Sequence, residues 1–240
     1  MKRVLIVGAT SGIGRELAIR YIEMGCNIGI AGRRVEELKK LQELAPERIC
    51  YEQIDITKQD AADNLMLLLD KMKGMDLFIL CSGIGYQNGS LDIDIEMKTA
   101  ETNVYGFIRM VTAAFNYFKN NGGHIAVISS VAGTKGLGIA PAYSATKRFQ
   151  NTYIESLEQL ANIKGYNINF TDIRPGFVDT PLLAKANYPM LMKVEYVANK
   201  IISAINHKKR VKIIDWRFAM IVFFWRMIPR CLWCKLKVKN

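Results

Sequence analysis

A tyrosine and a lysine stand four residues apart in the segment YSATK, at Tyr143 and Lys147. In a helix this spacing places both side chains on one face, one above the other. A phenol with a pKa of about 10 is a poor base at neutral pH, and a neighbouring ammonium would stabilise its phenolate and lower that pKa. The pair predicts acid–base chemistry at Tyr143. Because the same spacing also suits an ordinary surface pair, the surrounding residues must decide.

Two polar residues upstream favour the chemical interpretation. Ser130 lies in the segment ISSVAG, at the end of a predicted strand. Ligands of open α/β sheets bind at the carboxyl ends of the strands, so Ser130 could hold a carbonyl oxygen beside the tyrosine hydroxyl. Asn103, in the segment TNVYG, could sustain a water link from Lys147 towards solvent.

A glycine-rich turn, GATSGIG, follows the first predicted strand and opens into a helix. Its glycines allow a tight turn and close approach of a pyrophosphate, and the helix N-terminus offers N–H groups to the phosphate charge. The spacing GxxxGxG differs from the GxGxxG of longer dehydrogenases, and it is not a P-loop because no Gly-Lys-Ser/Thr follows. We expect the turn to bind a dinucleotide through Gly8, Thr10, Ser11, Gly12, Ile13 and Gly14.

The second predicted strand ends at Arg33 and Arg34. NAD-binding proteins usually place an acidic residue at this point for the ribose hydroxyls, whereas arginine suits a 2′-phosphate. Arg15 could add charge on the same side. We therefore expect NADP(H) as the cofactor, with NAD(H) as the open alternative. One of these arginines could instead simply cap the next helix.

Apolar strand-like runs alternate with amphipathic stretches along most of the chain, which is typical of a parallel sheet covered by helices. The predicted strands are Arg3–Val7, Asn27–Ala31, Ile49–Ile54, Asp76–Leu80, His124–Ile128, Asn167–Asp172 and Val211–Ile214. The predicted helices lie near 12–24, 34–45, 58–73, 95–120, 141–163 and 194–206. The sequence thus predicts one α/β domain over residues 1–214, a Rossmann-like, doubly wound sheet of seven parallel strands with helices on both faces, followed by a tail at 215–240.

These features, in this order over residues 2–214, resemble the short-chain dehydrogenase/reductase family, in its compact single-domain branch. The matching set is the GxxxGxG turn, Asp55 after the third strand, Asn103, Ser130, Tyr143 with Lys147, and Pro175-Gly176. The resemblance implies a catalytic tetrad of Asn103, Ser130, Tyr143 and Lys147. In it, Tyr143 transfers the proton and Ser130 orients the substrate oxygen. Lys147 lowers the tyrosine pKa and bonds the nicotinamide ribose, and Asn103 anchors a proton relay.

The resemblance also implies cofactor contacts outside the glycine turn. Asp55 matches the residue that contacts adenine, and the segment after Gly176 lines the nicotinamide, with Thr180 near its carboxamide. Further implied contacts are Ile56, Gly83, Pro175 and Val178. One segment departs from the family, because its Asn-Asn-Ala-Gly reads Leu80-Cys81-Ser82-Gly83 here. Gly83 keeps the close backbone approach, but the asparagines that fix the neighbouring sheet are missing.

The predicted function is NADP(H)-dependent hydride transfer between the nicotinamide and a carbonyl or alcohol. Residues 181–192 are expected to cover the substrate, and their Leu, Met and Tyr content suggests that the substrate is apolar. Tyr86, Gln87 and Asn88 could also contact it.

Family resemblance implies a homodimer or homotetramer formed through the two long helices. The alternative is a nucleotide-binding scaffold or sensor without turnover at a membrane surface. An epimerase or dehydratase is disfavoured because no room remains for a separate substrate domain.

The charge of the chain is concentrated in its tail, and its cysteines and N-terminus indicate the compartment. The net charge is +11, yet residues 207–240 hold ten basic residues and one acidic residue, so the rest of the chain carries only +2. Five scattered cysteines indicate reduced thiols, and the N-terminus predicts a strand and not a secretory signal. We expect a cytoplasmic protein. With two histidines and one isolated CxxC, at Cys231 and Cys234, we expect no metal centre.

The tail over residues 216–230 is apolar and aromatic between arginines. Only eight residues separate Arg217 from Arg226, which is too short for a bilayer span. Tryptophans beside arginines suit a membrane interface, so peripheral membrane contact is one hypothesis. Packing across an oligomer interface or over the active site is the other. Nucleic-acid binding is not expected, because no recognition motif accompanies the charge.

Overall fold

The computed structural model describes residues 1–183 and 188–236. Seven parallel strands form one sheet in the order β3-β2-β1-β4-β5-β6-β7. The strands are β1 Arg3–Val7, β2 Asn27–Gly32, β3 Ile49–Gln53, β4 Leu77–Leu80, β5 Gly123–Ile128, β6 Ile168–Pro175 and β7 Val211–Ile214. The predicted seven-stranded, Rossmann-like fold is confirmed.

Helices cover both faces of the sheet. They are α1 Gly12–Glu23, α2 Val35–Gln42, α3 Ala61–Lys71, α4 Ile93–Ala100, α5 Phe107–Asn121, α6 Pro141–Lys164, α7 Val194–Asn206, α8 Trp216–Met227 and α9 Arg230–Trp233. The single helix predicted over 95–120 is wrong in detail, because a π-helical segment, Glu101–Gly106, separates α4 from α5. A short 3₁₀ turn, Val131–Thr134, follows β5.

The central strands are apolar on both sides because helices bury both faces of the sheet. In β1, Val4 and Ile6 join the core beneath α1, α2 and α7. Leu5 and Val7 join the opposite core, beneath α3, α5 and α6. This two-sided burial explains why the strands read as continuous apolar runs and why their positions were predicted to within a few residues.

The first three strands are added to the sheet in one direction, from β1 to β3. The chain then returns to place β4 on the other side of β1, and β5 to β7 follow in the opposite direction. All strands run parallel, so their carboxyl ends meet at one edge of the sheet. In such sheets the crevice outside this switch point is where ligands bind. The loops after β1, β4, β5 and β6 therefore converge on one place.

The first tail helix, α8, packs onto the domain. Asp215 caps it by accepting a hydrogen bond from the Arg217 N–H at 2.9 Å. Phe218 and Val222, one turn apart, are buried in the same core as α1 and α7. The Phe218 ring lies against Gly176, where a Cβ would come within 2.3 Å of it. Among the described residues, no helix is both long and apolar enough to cross a bilayer.

Candidate active site

The turn between β1 and α1 brings Gly8 and Gly14 into close contact. Gly8 has φ +93°, which favours glycine, and a Cβ there would lie 2.6 Å from the Ser82 N. A Cβ on Gly14 would lie 2.2 Å from the Gly8 carbonyl oxygen. Ser11 stands at the N-cap of α1, and among the described residues no side chain caps that helix end. The turn thus leaves N–H groups and a bare backbone cradle that fit a pyrophosphate.

The other predicted cofactor residues follow the carboxyl ends of the strands, and one of them, Thr180, contacts the glycine turn. Thr180 lies over Gly12, whose Cβ would be 3.1 Å from the threonine methyl group. Val178, buried, pairs with Met192 in an isolated bridge that closes the base of the segment after β6. Ile13 is half-buried, Pro175 ends β6, and Ile56 packs against Gly106. The sequence of the chain thus folds all of these positions to the same sheet edge.

Arginines and an aspartate stand at the ends of β2 and β3. Arg34 donates from Nη2 to the Thr10 hydroxyl at 2.9 Å, whereas the Arg33 side chain is exposed. Burial acts to raise the pKa of Asp55, but hydrogen bonds from the Thr57 N–H and hydroxyl, together with the charges of Arg33 and Lys58, hold it below its usual value. Asp55 is therefore a carboxylate at neutral pH.

Ser130 and Tyr143 meet at the carboxyl end of β5. The Ser130 hydroxyl accepts from the Ala132 N–H at 3.1 Å, donates to the Pro175 carbonyl at 3.4 Å and lies near the Tyr143 phenol, whose pKa it acts to lower. The ring of Tyr143 packs against Gly85, where a Cβ would come within 2.7 Å of it. Two hydroxyls thus point to one place, where a substrate oxygen could accept from both.

Lys147 lies beside the Tyr143 ring but is held by other partners. Its Nζ donates to the Ile128 carbonyl and to Gln150 Oε1, both at 3.0 Å, and lies 5.8 Å from the centroid of the tyrosine ring. Burial raises the pKa of Tyr143 above its ordinary value, and the Ser130 hydroxyl only partly offsets this. Burial also lowers the pKa of Lys147 to about 8, and the charge of Asp172 acts in the opposite direction.

Asn103 is fully buried in the π-helical segment. Its side chain clamps the loop after β4, accepting from the Ile84 N–H at 2.9 Å and donating to the Ile84 carbonyl at 2.7 Å. The backbone carbonyl of Asn103 accepts from Gln150 Nε2 at 2.9 Å. A glutamine side chain therefore joins Asn103 to Lys147, and the water link from Lys147 towards solvent stays a prediction.

Cys81 and Ser82, which differ from the family pattern after β4, fit into the fold, and Cys81 does not provide a reactive thiolate. Cys81 and Ser82 donate their N–H groups to the Val7 carbonyl, and Gly83 lies beside Lys147 and Asn103. Burial raises the pKa of the Cys81 thiol to about 12. Cys81 is thus a neutral packing residue.

The expected substrate contacts divide into two groups. Tyr86 and Gln87 are exposed next to Gly85, in a position to touch a substrate. Asn88 is buried, and its amide donates to the Asp92 carbonyl and to Glu96 Oε1, so its polar atoms hold the loop itself. Of the predicted covering segment 181–192, residues 184–187 lie outside the described residues.

Sequence reasoning missed three residues that complete this site. Gly85 backs the tyrosine ring, the Thr146 hydroxyl accepts from Asn103 Nδ2 at 3.1 Å, and Gln150 joins Asn103 to Lys147. A signal for Gln150 was present. It follows Tyr143 by seven residues and Lys147 by three, so it lies on the same helical face, where a polar residue must have a partner.

The sequence is similar to those of known oxidoreductases. The sequence model of the family described as short chain dehydrogenase matches residues 2–190. An uncharacterized oxidoreductase of Myxococcus xanthus is 33% identical over 201 residues, covering 81% of this chain and 79% of its own. Dehydrogenase/reductase SDR family member 7B of Xenopus tropicalis is 30% identical, covering 86% and 75%.

Solved structures show the same fold. A short chain dehydrogenase from Burkholderia cenocepacia, in complex with NADP, superposes with a TM-score of 0.85 at 20% identity and covers 100% of both chains. A 3-ketoacyl-(acyl-carrier-protein) reductase from Brucella melitensis, complexed with NADH, superposes with a TM-score of 0.79 at 23% identity, covering 89% of this chain and 96% of that one. From its sequence and fold together, the chain belongs to the short chain dehydrogenase family and is an NAD(P)-dependent oxidoreductase.

Proposed function

We propose that the protein reduces the carbonyl group of an apolar substrate with NADPH, or oxidises the corresponding alcohol with NADP⁺. The observation that carries this proposal is the meeting of the Ser130 and Tyr143 hydroxyls beside a buried lysine at the carboxyl edge of the sheet. A scaffold that only binds nucleotide would not need this arrangement.

The proposed chemistry divides between cofactor and chain. When bound, the nicotinamide supplies or accepts the hydride at the substrate carbon. In reduction, Tyr143 donates its proton to the substrate oxygen, and Ser130 donates a hydrogen bond that fixes this oxygen. Because burial raises the pKa of Tyr143, the phenol keeps its proton at neutral pH, which suits the donor role. Lys147 contributes positive charge as the phenolate forms, and Asn103 holds the loop beneath them.

The preference for NADP(H) rests on positive charge at the end of β2. Arg33 is exposed beside Asp55, Arg34 reaches back to Thr10, and Arg15 is exposed on the first turn of α1. No carboxylate replaces Arg33 at the end of this strand. Arginine binds a 2′-phosphate through charge-assisted hydrogen bonds, whereas the ribose hydroxyls of NAD gain little from it.

Fluorescence titration of NADPH and NADH tests this preference. We expect tighter binding of NADPH, and an Arg33→Ala change should weaken it about 10- to 100-fold with little effect on NADH. Arg210→Ala is a matched control, because Arg210 is also exposed but pairs with Glu158 at 2.8 Å. Equal binding of both cofactors, unchanged by Arg33→Ala, would contradict the NADP(H) preference. Binding of neither would remove the oxidoreductase proposal.

An apolar substrate is supported by the residues around the site. Leu182 and Leu191 are 46% and 44% exposed at the two described ends of the segment after β6, and Tyr86 is 43% exposed next to Gly85. Large apolar side chains left exposed at a site rim favour an apolar ligand. Ketones of increasing chain length test this. The ratio kcat/KM should rise with chain length, and a flat or falling series would contradict an apolar substrate.

We also propose that α8 contacts a membrane surface. Phe218 and Val222 face the domain, but Trp216, Phe223 and Phe224 are exposed. Arg226 and Arg230 are exposed beside them and would meet anionic headgroups. Aromatic rings beside basic groups are typical of side chains at a membrane interface. The tail also touches the active-site side, because Trp225 Nε1 donates to the Thr134 hydroxyl at 3.0 Å.

Vesicle flotation with point variants tests the membrane contact. Deleting residues 215–240 would also remove Phe218 and Val222 from the core, so it would confuse binding with folding. The wild type should float with vesicles containing phosphatidylglycerol but not with phosphatidylcholine alone. A Phe223→Ser, Phe224→Ser double variant should stay unbound, and Ile163→Ser, at an exposed apolar position on α6, should float. A wild type that does not float, or a double variant that still floats, would contradict the proposal.

Assembly into a homodimer or homotetramer is proposed through α4, the π-helical segment, α5 and α6. Met97 and Tyr105 expose large side chains on the first two of these, and Leu160 does so on α6. Packing of such side chains against a second copy would remove them from water. Light scattering should give the mass of a dimer or tetramer, and Met97→Glu should shift it towards monomer. A wild-type monomer would contradict the assembly.

A further inference from the structure

Gln150 is a buried polar residue on the catalytic face of α6. It is 1% exposed and follows Lys147 by three positions. Both ends of its amide are used, because Oε1 accepts from Lys147 Nζ at 3.0 Å and Nε2 donates to the Asn103 carbonyl at 2.9 Å. This one side chain therefore connects two members of the proposed tetrad across 47 residues of sequence.

The Asn103 end of this bridge is anchored. The π-helical segment turns the Asn103 backbone carbonyl towards α6, and the Asn103 side chain is fixed by both backbone groups of Ile84. Its Nδ2 also donates to the Thr146 hydroxyl. Since the carbonyl cannot move without breaking these bonds, it fixes the orientation of the Gln150 amide, with Oε1 directed at Lys147. A glutamine with a free amide could turn either end to the lysine, but this one cannot.

The Lys147 end of the bridge holds a desolvated charge. The ammonium has three donors, and two of them bond to uncharged acceptors, the Ile128 carbonyl and Gln150 Oε1. The titratable groups that face it are Tyr143 on its own helix, Cys81 after β4, and Asp172 in β6. Asp172, which pairs with Arg174 at 2.7 Å, carries the charge that most favours the ammonium. The two neutral acceptors add hydrogen bonds to the charged amine, which favour it further against the cost of burial.

We propose that Gln150 is a positioning residue, which holds Lys147 charged and oriented at the active site by bridging it to the Asn103 carbonyl. The Gln150 amide belongs to the protein chain, and its orientation is fixed by the Asn103 carbonyl. It therefore holds the Lys147 amine in one position. This inference rests on the proposed function for its catalytic consequence, but its effect on Lys147 exists whether or not the protein turns over a substrate.

Two substitutions move the Lys147 pKa in opposite directions. Gln150→Met keeps the approximate volume but removes the acceptor, so the charged amine is less stable and its pKa falls further. Gln150→Glu keeps an acceptor in the same place and adds negative charge, so the pKa rises. Each shift should be about one pH unit. A residue that served only packing would not shift this pKa in two directions.

The pH dependence of NADPH affinity, measured by fluorescence, gives a readout without turnover. In the wild type, affinity should weaken above the Lys147 pKa as the amine loses its charge, and Lys147→Met should abolish this break. The break should move to lower pH in Gln150→Met and to higher pH in Gln150→Glu. Gln42→Met is the control, since Gln42 also donates to a backbone carbonyl, that of Ile49, but lies away from the site.

Turnover of acetophenone with NADPH completes the test. We expect kcat to fall about tenfold in Gln150→Met while the KM for NADPH changes less, and Gln150→Glu to recover part of kcat at high pH. A break that is absent in the wild type, or unmoved in both Gln150 variants, overturns the inference. Should Gln150→Met not fold, Gln150→Leu, which also removes the acceptor, takes its place and should show the same downward shift. Shifted breaks with no turnover of any ketone would instead sink the proposed function and leave the role of Gln150 intact.

Discussion

The two edges of the sheet hold their positive charges in different ways. At the amino edge, Arg3 in β1 donates to both carboxylate oxygens of Asp76, the shorter bond being 2.7 Å. At the carboxyl edge, Lys147 donates to a backbone carbonyl and a neutral amide, and Arg34 donates to the Thr10 hydroxyl. A cation with a carboxylate partner is compensated, whereas one held by neutral groups keeps a field that can act on a ligand. We therefore expect the amino edge to serve stability and the carboxyl edge to serve chemistry.

Tyr143→Phe, at the carboxyl edge, should have the largest effect on activity and almost none on stability. Loss of the phenol hydroxyl removes the proposed proton donor, so kcat should fall about 10²- to 10⁴-fold. NADPH affinity and the melting temperature should stay near wild type, because the ring still packs against Gly85. Initial rates of NADPH oxidation and a fluorescence titration measure both. Unchanged kcat would show that the carboxyl edge does not use Tyr143 in chemistry.

Gly14→Ala should displace the backbone of the glycine turn at the carboxyl edge. A Cβ would lie 2.2 Å from the Gly8 carbonyl oxygen, so the turn must shift, at a cost of about 3 kcal/mol in the free energy of unfolding. The displaced turn should also lose NADPH affinity. Gly89→Ala serves as the control, since a Cβ there meets nothing within 4 Å. Urea denaturation that gives the same midpoint for both variants would show that the glycine cradle tolerates a side chain.

The pH dependence of catalysis should report the uncompensated lysine. Lys147, with its pKa lowered to about 8, is charged below that pH and neutral above it. Because the charged amine favours the phenolate, kcat/KM for NADPH should fall about tenfold per pH unit above about pH 8. Lys147→Arg keeps its charge, so it should lower activity overall but remove the decline. A wild-type profile that stays flat to pH 10 would contradict a titrating Lys147.

The smallest effect belongs to the amino edge. Arg3→Ala removes a partly exposed ion pair and a bond to the Lys73 carbonyl, which should cost about 1 kcal/mol in the free energy of unfolding. Activity per folded molecule should not change. Urea denaturation and initial rates at the same pH measure the two quantities. A fall in kcat in this variant would break the division between the two edges.

The sheet and the glycine cradle were predictable because short-range patterns encode them. Apolar runs of four to eight residues between helical stretches specify buried parallel strands, and the spacing of Gly8, Gly12 and Gly14 specifies a turn with a bare backbone. Tyr143 and Lys147 were likewise visible, since their four-residue spacing places them on one helical face.

The network behind the tetrad was not predictable in the same way. Asn103 and Gln150 are 47 residues apart, and no local pattern pairs them. The π-helical segment at Asn103 differs from an α-helix by one extra residue per turn of hydrogen bonding, which the apolar pattern of 95–120 does not show. The pKa of Tyr143 is set by its burial and by Ser130, whereas the sequence spacing shows only that Lys147 shares its helical face.

The tail shows a third limit. Its sequence is apolar around the whole of α8, so no amphipathic face indicates which residues become buried. The choice falls to Phe218 because Gly176 leaves space for its ring. This contact joins Phe218 of the tail to Gly176 after β6, which are far apart in the sequence.

The measurement that tests the central claim most directly is transfer of deuterium from NADPH labelled at the nicotinamide C4. The protein is incubated with labelled NADPH and a series of apolar ketones, and the alcohol products are analysed by mass spectrometry. We predict deuterium at the carbinol carbon of at least one product, and none when Tyr143→Phe is used under the same conditions. Tight NADPH binding with no deuterium in any product would contradict hydride transfer and identify the carboxyl edge as a site that only binds its nucleotide.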